Sequence, residues 1–273
     1  MNQLMFLKPL YQAHELRRYV FIPLLLVFGV SILFQNTAKA QTFRREVTFS
    51  NANKPGTVRM ELWYGDVTIT GTQGKKVIVV YKVEEKPLAS TGNGVSRTAR
   101  STDLEFSEAA NVLRIIRPAH RRDFSDPMSV DVQMPSNAKL VLSSLGGPIT
   151  IRRIQGDVEV TNKNGKVSLF DMANSVLVNT QNGDIVASFN RVLASKSISL
   201  VSMNGDVDVT MPPGLQATVN LQTYKGEINS DFRIIRNNQP TGWGQRVIKG
   251  TIGNGNTPIK LSSINGDIWL RKK

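Results

Sequence analysis

An acidic side chain recurs directly after a glycine along the chain, and carboxylates at a regular spacing could bind a cation. The residues are Asp66, Asp157, Asp184, Asp206, Glu227 and Asp267. In stacked repeats about 4.8 Å apart, such a row either repels or takes up a hard cation such as calcium. The calcium-binding nonapeptide repeat has paired glycines and an unbroken nine-residue spacing, which this chain lacks. We therefore expect turn-forming acids that face solvent, with no metal and no cofactor.

Basic and aromatic side chains are the other candidates for recognition. The candidate ligand-binding residues are Arg114, Arg117, Arg121, Arg122, Trp63, Tyr64 and Trp269. Arginine binds phosphate or sulfate through paired hydrogen bonds, and exposed aromatic rings stack on sugars or anchor protein interfaces. A solvated strand end for the arginines and a protective cap for Trp269 are the alternatives. Nucleic acid is not an expected partner, because no aromatic side chains are interleaved with the basic ones.

The composition excludes several classes of site. The chain has 273 residues, no cysteine and two histidines. Disulfide frameworks, cysteine zinc sites and thiol nucleophiles are therefore ruled out. Outward acids and bases such as Glu159, Asp208, Arg152 and Arg153 occur in any stack of polar strands. No motif selects two of them as an acid–base pair. We expect a protein that is not an enzyme, and a polysaccharide-active enzyme on a β-helix is the alternative.

A ten-residue phrase recurs around a glycine, as in Leu261–Leu270 and Leu200–Val209. The central glycines are Gly65, Gly147, Gly156, Gly165, Gly183, Gly205, Gly226 and Gly266. The residue five positions before each glycine is apolar, the one three before is usually Ser or Thr, and the one two after is Val or Ile. The gaps from Gly147 onward are 9, 9, 18, 22, 21 and 40 residues. We read the gap of 40 residues as two repeats and infer a unit of about 18–22 residues.

Alternation with a period of two on both sides of a glycine predicts a strand, a turn and a second strand with one buried face. Asn-Gly-Asp supplies the turn, because Gly and Asn tolerate positive φ. The constant offsets favour stacked coils over independent hairpins. We predict an all-β protein with a short β-solenoid, or β-roll, over residues 136–273. Residues 41–135 form an N-terminal β region that caps or starts the stack, and the two parts make one continuous domain.

The first forty residues have the features of a secretory signal peptide. Val20–Phe34 is free of charge, Lys8, Arg17 and Arg18 precede it, and Ala38-Lys39-Ala40 is a small-residue cleavage pattern. An uncleaved anchor is the alternative and would be the chain's one membrane contact. Removing residues 1–40 takes four basic residues and one acidic residue away, so the net charge falls from +13 to +10. We expect export to the periplasm, the outer surface or the medium.

The exported leader, the Asn-Gly-Asp phrases and the entry segment Asp131–Ile151 together resemble the putative adhesin family of bacterial exported domains, and the head-GIN domain is similar in style. The resemblance implies a β-solenoid of the cell envelope and no catalytic residues. We expect an adhesin-like binding module whose partner is a cell-surface glycan, lipopolysaccharide or an envelope protein. A structural envelope scaffold is a further alternative.

Overall fold

The structure, a computed structural model, describes residues 40–84, 104–118, 128–237 and 244–273. Of the predicted signal segment, only Ala40 lies within these ranges. The described residues contain no helix, and so none that could cross a membrane. Their strands are β1 Ala40–Thr48, β2 Thr57–Tyr64, β3 Val67–Thr72, β4 Lys76–Glu84, β5 Glu105–Ala109, β6 Val112–Ile116, β7 Met128–Pro135, β8 Lys139–Gly146, β9 Ile149–Arg152, β10 Val158–Asn164, β11 Val167–Met172, β12 Val176–Asn182, β13 Ile185–Phe189, β14 Ile198–Asn204, β15 Val207–Met211, β16 Ala217–Thr223, β17 Ile228–Ser230, β18 Ile235–Arg236, β19 Arg246–Ile252, β20 Thr257–Ser263 and β21 Ile268–Lys272.

The strands form two sheets whose inner faces enclose the core. The first sheet has ten strands in the order β1-β4-β7-β3-β9-β11-β13-β15-β21-β17. The second sheet has eleven strands in the order β18-β19-β16-β20-β14-β12-β10-β8-β2-β6-β5. A rung consists of one strand of the second sheet, a glycine corner and one strand of the first sheet, as in β10, Gly165 and β11. Neighbouring rungs pair in parallel, which confirms the predicted β-solenoid.

The stacking order of the rungs departs from their chain order at the C-terminal end. Strand β20 lies between β14 and β16, and β21 lies between β15 and β17. The spacing predicted that the gap of 40 residues between Gly226 and Gly266 contains two rungs. The pairing of the strands shows that this prediction is wrong. In this gap the chain forms β18 and β19, and β19 runs antiparallel to β16 and extends the sheet beyond it.

The N-terminal region both starts and caps the stack, as predicted. Strands β6 and β7 pair in parallel with β2 and β3 and so extend both sheets. Strands β5, β4 and β1 then follow in antiparallel pairing and end the two sheets on this side.

The apolar positions of the repeat line the interior, as the alternation predicted. Val178, Leu200 and Leu261 before the glycines, and Ile185 and Val207 after them, are completely buried. Each such side chain contributes about 1.5–3 kcal/mol on burial. Their neighbours along each strand face outward, so one continuous apolar core runs the length of the stack.

Seven of the eight predicted glycines form one column at one corner of the stack, here called the glycine column. Its spatial order is Gly65, Gly147, Gly165, Gly183, Gly205, Gly266 and Gly226. A Cβ atom on Gly183 would lie 2.1 Å from the carbonyl oxygen of Gly165, and one on Gly205 would lie 2.3 Å from that of Gly183. Gly156 is the exception, because it lies at the opposite corner against Ala138. The gaps of nine residues on either side of Gly156 are therefore distances from one corner of the stack to the other, and not from rung to rung.

Close approach, and not positive φ, is the common requirement at this corner. Gly147 and Gly165 have φ of 105° and 116°, but Gly183 and Gly205 are not in the left-handed region. The prediction that these turns require a positive φ is therefore right for only some glycines of the column. The remaining glycines are needed because the backbone of the preceding rung occupies the space of a side chain.

Three rows of polar side chains hold the rungs together at this corner. Inward hydroxyls donate to glycine carbonyls of the neighbouring rung, as from Ser202 to Gly183 at 2.9 Å and from Ser263 to Gly205 at 2.9 Å. An asparagine ladder precedes the glycines, in which each amide nitrogen donates to the amide oxygen of the asparagine in the preceding rung of the stack. The ladder comprises Asn164, Asn182, Asn204 and Asn265 at 2.6–2.8 Å.

The acidic row that follows the glycines forms a third ladder. The carboxylate of Asp184 accepts the backbone N–H of Asp206 at 3.0 Å. The carboxylate of Asp206 accepts the N–H of Asp267, and that of Asp267 accepts the N–H of Glu227, both at 2.8 Å. One oxygen of each of these carboxylates is thereby used to connect rungs. No three metal-ligating side chains converge on a metal-sized site within the described ranges.

The glycine column predicts a strongly position-dependent cost of adding one methyl group. Gly183→Ala should lower the free energy of unfolding by about 3 kcal/mol or more, because the new Cβ meets backbone that cannot move aside. Gly214→Ala is the matched control, since no atom lies within 4 Å of a Cβ there. Urea denaturation measures both changes, and equal stability of the two variants would contradict the close approach.

The inward hydroxyl row contains one member without a partner. The Thr180 hydroxyl is buried and makes no hydrogen bond, and the corresponding acceptor, the Gly165 carbonyl, already accepts from Asn162 at 3.0 Å. Thr180→Val should therefore stabilise the protein by about 1 kcal/mol, whereas Ser202→Ala should destabilise it by about 1 kcal/mol. Thermal unfolding of the two variants would refute this difference if both shifted in the same direction.

Candidate functional site

The predicted arginine cluster divides between the surface and the interior. Arg114 is exposed on β6, with its guanidinium 3.5 Å from the Glu61 carboxylate. Arg117 is only 7% exposed and donates to the backbone carbonyl of Tyr64 at 3.3 Å. Arg121 and Arg122 lie outside the described residues. Arg117 is thus a buried residue at the end of a strand, whereas the sequence interpretation allowed it a place on the surface.

The three predicted aromatic residues do not share one surface. Trp63 is half-buried, and its indole N–H donates to the carbonyl of Arg117 at 2.7 Å. Tyr64 follows it at the corner and is 40% exposed. Trp269 lies on the outer face of the other sheet, with the Arg271 guanidinium 4.6 Å from its ring centre. The hydrogen bond to Asp208 raises the pKa of Arg271 and holds the guanidinium over the ring.

A long groove crosses the outer face of the second sheet beside the glycine column. Its volume is about 640 Å³, within the usual range of ligand sites. It crosses β8, β10, β12, β14, β20 and β16, which are neighbours in the sheet. Six strands about 4.8 Å apart give it a length of about 24 Å. We call this feature the cross-strand groove.

Two rows of outward side chains line the cross-strand groove. The row four positions before the glycines is mostly hydroxyl and amide and consists of Ser143, Thr161, Asn179, Val201, Ser262 and Gln222. The row two positions before the glycines consists of Leu145, Lys163, Gln181, Met203, Ile264 and Tyr224. The repeat thus places hydroxyl or amide side chains at five of the six positions of the first row, with Val201 as the exception.

One end of the groove is apolar and open to solvent. Met203, Ile264 and Tyr224 are 43%, 44% and 51% exposed. Met203 lies on β14, and Ile264 and Tyr224 directly follow β20 and β16, so the three are neighbours because β20 is inserted between β14 and β16. The groove therefore combines a polar floor with an exposed aromatic ring, which is a common arrangement for binding sugars.

The charges of the groove do not suit acid–base catalysis. Among the described residues that line it there is no Asp, Glu or His, and Lys163 is the sole fixed charge. The two described carboxyl groups whose pKa is lowered lie outside the groove. Arg44 and Lys76 lower the pKa of Glu46, and hydrogen bonds from Ser50 lower that of Glu108.

None of the five predicted site residues that the structure describes lines this groove. Its rows are visible in the sequence as outward positions at fixed offsets from each glycine. The convergence of Met203, Ile264 and Tyr224, however, depends on the inserted strand, and chain order separates Tyr224 from Ile264 by 40 residues.

The comparisons with known proteins agree with this fold. A putative cell adhesion protein from Clostridium sporogenes superimposes with a TM-score of 0.51 at 12% identity, over 86% of this chain and 100% of that one. A putative adhesin from Bacteroides fragilis is 11% identical over 85% of this chain and 97% of that one, with a TM-score of 0.34. No curated protein matches the chain. The model of the Toastrack DUF4097 family matches residues 36–271, and the chain therefore belongs to that family.

Proposed function

We propose that this protein is an exported, non-catalytic binding module of the bacterial cell envelope, and that its cross-strand groove holds a strand of glycan. The observation that carries the proposal is the groove itself, a polar track about 24 Å long that ends at the exposed ring of Tyr224. A track of this length suits an extended polymer better than a compact small molecule.

The lining favours a carbohydrate polymer over other extended ligands. Hydroxyl and amide side chains such as Ser143, Thr161 and Asn179 exchange hydrogen bonds with sugar hydroxyls. An apolar peptide would leave these groups unpaired on burial, which is unfavourable. The ring of Tyr224 offers a stacking face for a sugar ring.

The net charge suggests the surroundings in which the module acts. The chain from residue 41 onward carries +10, and Lys163 adds a positive charge inside the groove. Anionic envelope polymers therefore approach it favourably. The similar protein from Clostridium sporogenes is named a putative cell adhesion protein, and the role proposed for this chain is of the same broad kind.

Two further parts of the proposal concern the chain as a whole. Because β2 and β8 pair in parallel, the sheets run without a break from residues 41–135 into residues 136–273, and we infer a single domain. Strand β1 begins at Ala40, the last residue of the predicted leader, so cleavage after Ala40 would remove only the first residue of that strand.

Cleavage of the leader gives a direct test of export. The mature protein recovered from the envelope or the medium should begin at Gln41, as measured by N-terminal sequencing or intact mass. Ala40→Leu should block processing, because the cleavage site requires a small residue. A full-length protein in the envelope fraction would instead establish the uncleaved anchor, and a cytoplasmic protein would contradict export.

Glycan binding tests the groove. Immobilised envelope polysaccharides should retain the protein, and Tyr224→Ala should weaken binding about fivefold to tenfold because the stacking face is lost. Leu177→Ala is the matched control, since Leu177 is 36% exposed on the same sheet but does not line the groove.

Three outcomes would contradict parts of this proposal. Equal binding by the two variants would remove the groove as the site. Retention of no polysaccharide at all would favour a structural scaffold. New reducing ends or unsaturated products after incubation would establish a polysaccharide-active enzyme.

A further inference from the structure

A second cavity lies at the corner opposite the glycine column, on the side where strands of the first sheet end. Its volume is about 480 Å³. It is lined by the end of β3 and the residue after it, the residue after β7, the turn after β9, the end of β11 and the residue after β13. We call it the corner cavity. It does not share a lining residue with the cross-strand groove.

Two charged residues of the corner cavity have unusual backbone conformations. Arg153 has φ of 56° and Asp171 has φ of 61°, in the left-handed region that side chains other than glycine rarely adopt. A Cβ on Gly71 would lie 2.0 Å from the carbonyl oxygen of Arg153, so the turn at Arg153 depends on a glycine in the neighbouring rung. Strained residues of this kind persist where the surrounding structure fixes them, and they cluster at functional sites.

The polar groups of the cavity are only partly paired. Arg153 forms no ion pair with any described carboxylate, and Asp171 accepts a side-chain hydrogen bond only from Asn190, at 2.9 Å. Ser136 belongs to the same wall and is 8% exposed. The amides of Gln73 and Gln155 complete the wall. Convergent, unpaired polar groups in a concave site are the usual signature of ligand binding.

The charge around the cavity is positive. Lys273 donates to the Asn190 side chain at 2.8 Å, so a second cation lies on the Asn190 side of the cavity, whose wall contains Arg153 and the single carboxylate of Asp171. A monoanion is favoured by this balance. A phosphate dianion would be repelled by Asp171, because the carboxylate stands in the same wall.

We propose that the corner cavity binds one acidic monosaccharide unit, a hexuronate, at a site separate from the groove. The Arg153 guanidinium pairs with the sugar carboxylate through two parallel hydrogen bonds. Asp171 and the amides of Gln73, Gln155 and Asn190 hold the ring hydroxyls. The site adds recognition of a sugar carboxylate to the hydroxyl and amide contacts of the groove.

Titration calorimetry of the full chain with galacturonate and glucuronate tests the site, with galactose and glucose as neutral partners. The uronates should bind and the neutral sugars should bind at least about tenfold more weakly. Arg153→Gln should weaken uronate binding by about tenfold or more, because the bidentate pair is lost. Arg152→Gln is the matched control, since the Arg152 guanidinium lies 4.4 Å from the Phe170 ring centre and does not line the cavity.

A glycine variant separates binding from folding. Arg153→Gly should raise the melting temperature, because glycine accepts the positive φ, and it should abolish uronate binding. A variant that is more stable and does not bind cannot owe its loss of binding to unfolding.

Several results would overturn the proposal. These are equal uronate affinity in Arg153→Gln, an equal loss in Arg152→Gln, or no uronate binding at about 10 mM ligand. Tighter binding of free α-amino acids, lost in Asp171→Asn, would instead assign the cavity to a zwitterion whose ammonium group contacts Asp171. The groove is tested with Tyr224→Ala, so failure at either site leaves the other result unchanged.

Discussion

The close approach of backbone to backbone at the glycine column is the constraint on which the rest of the structure depends. Each rung places a carbonyl oxygen about where the Cβ of the next rung would be, so only glycine fits. This contact fixes the register of neighbouring rungs at one corner. Once the register is fixed, the apolar side chains of the two sheets meet in one continuous core without further adjustment.

The same register aligns the polar side chains around the corner. Inward hydroxyls reach glycine carbonyls, asparagine amides pair with asparagine amides, and aspartate oxygens accept backbone N–H groups of the next rung. Similar outward positions also line up from strand to strand, and the cross-strand groove results from this alignment. The hydrogen-bonded ladders and the cross-strand groove therefore both result from one repeated phrase. Its inward and corner positions form the ladders, and its outward positions line the groove.

The phrase made much of the fold predictable. Fixed offsets from each glycine identified the buried positions, such as Ile185 and Val207, because the alternation of a strand leaves little choice of face. The spatial order of the rungs was not predictable, because no residue near Gly266 indicates that β20 and β21 pair with β14 and β15. The candidate sites were less predictable than the fold. Arg117 looks like a surface residue by type, and the groove and the corner cavity combine residues from rungs that chain order separates.

The insertion of β20 and β21 between earlier rungs has a consequence for how the protein is made. Strands β16 and β17 leave the ribosome before β20 and β21, which separate them from β14 and β15, so their parallel partners become available only later. The stack cannot be completed by adding each new rung to the last. Pairings between distant segments form slowly, because the loop that joins them must close first. A chain of this topology completes both sheets only after β20 and β21 have been synthesised.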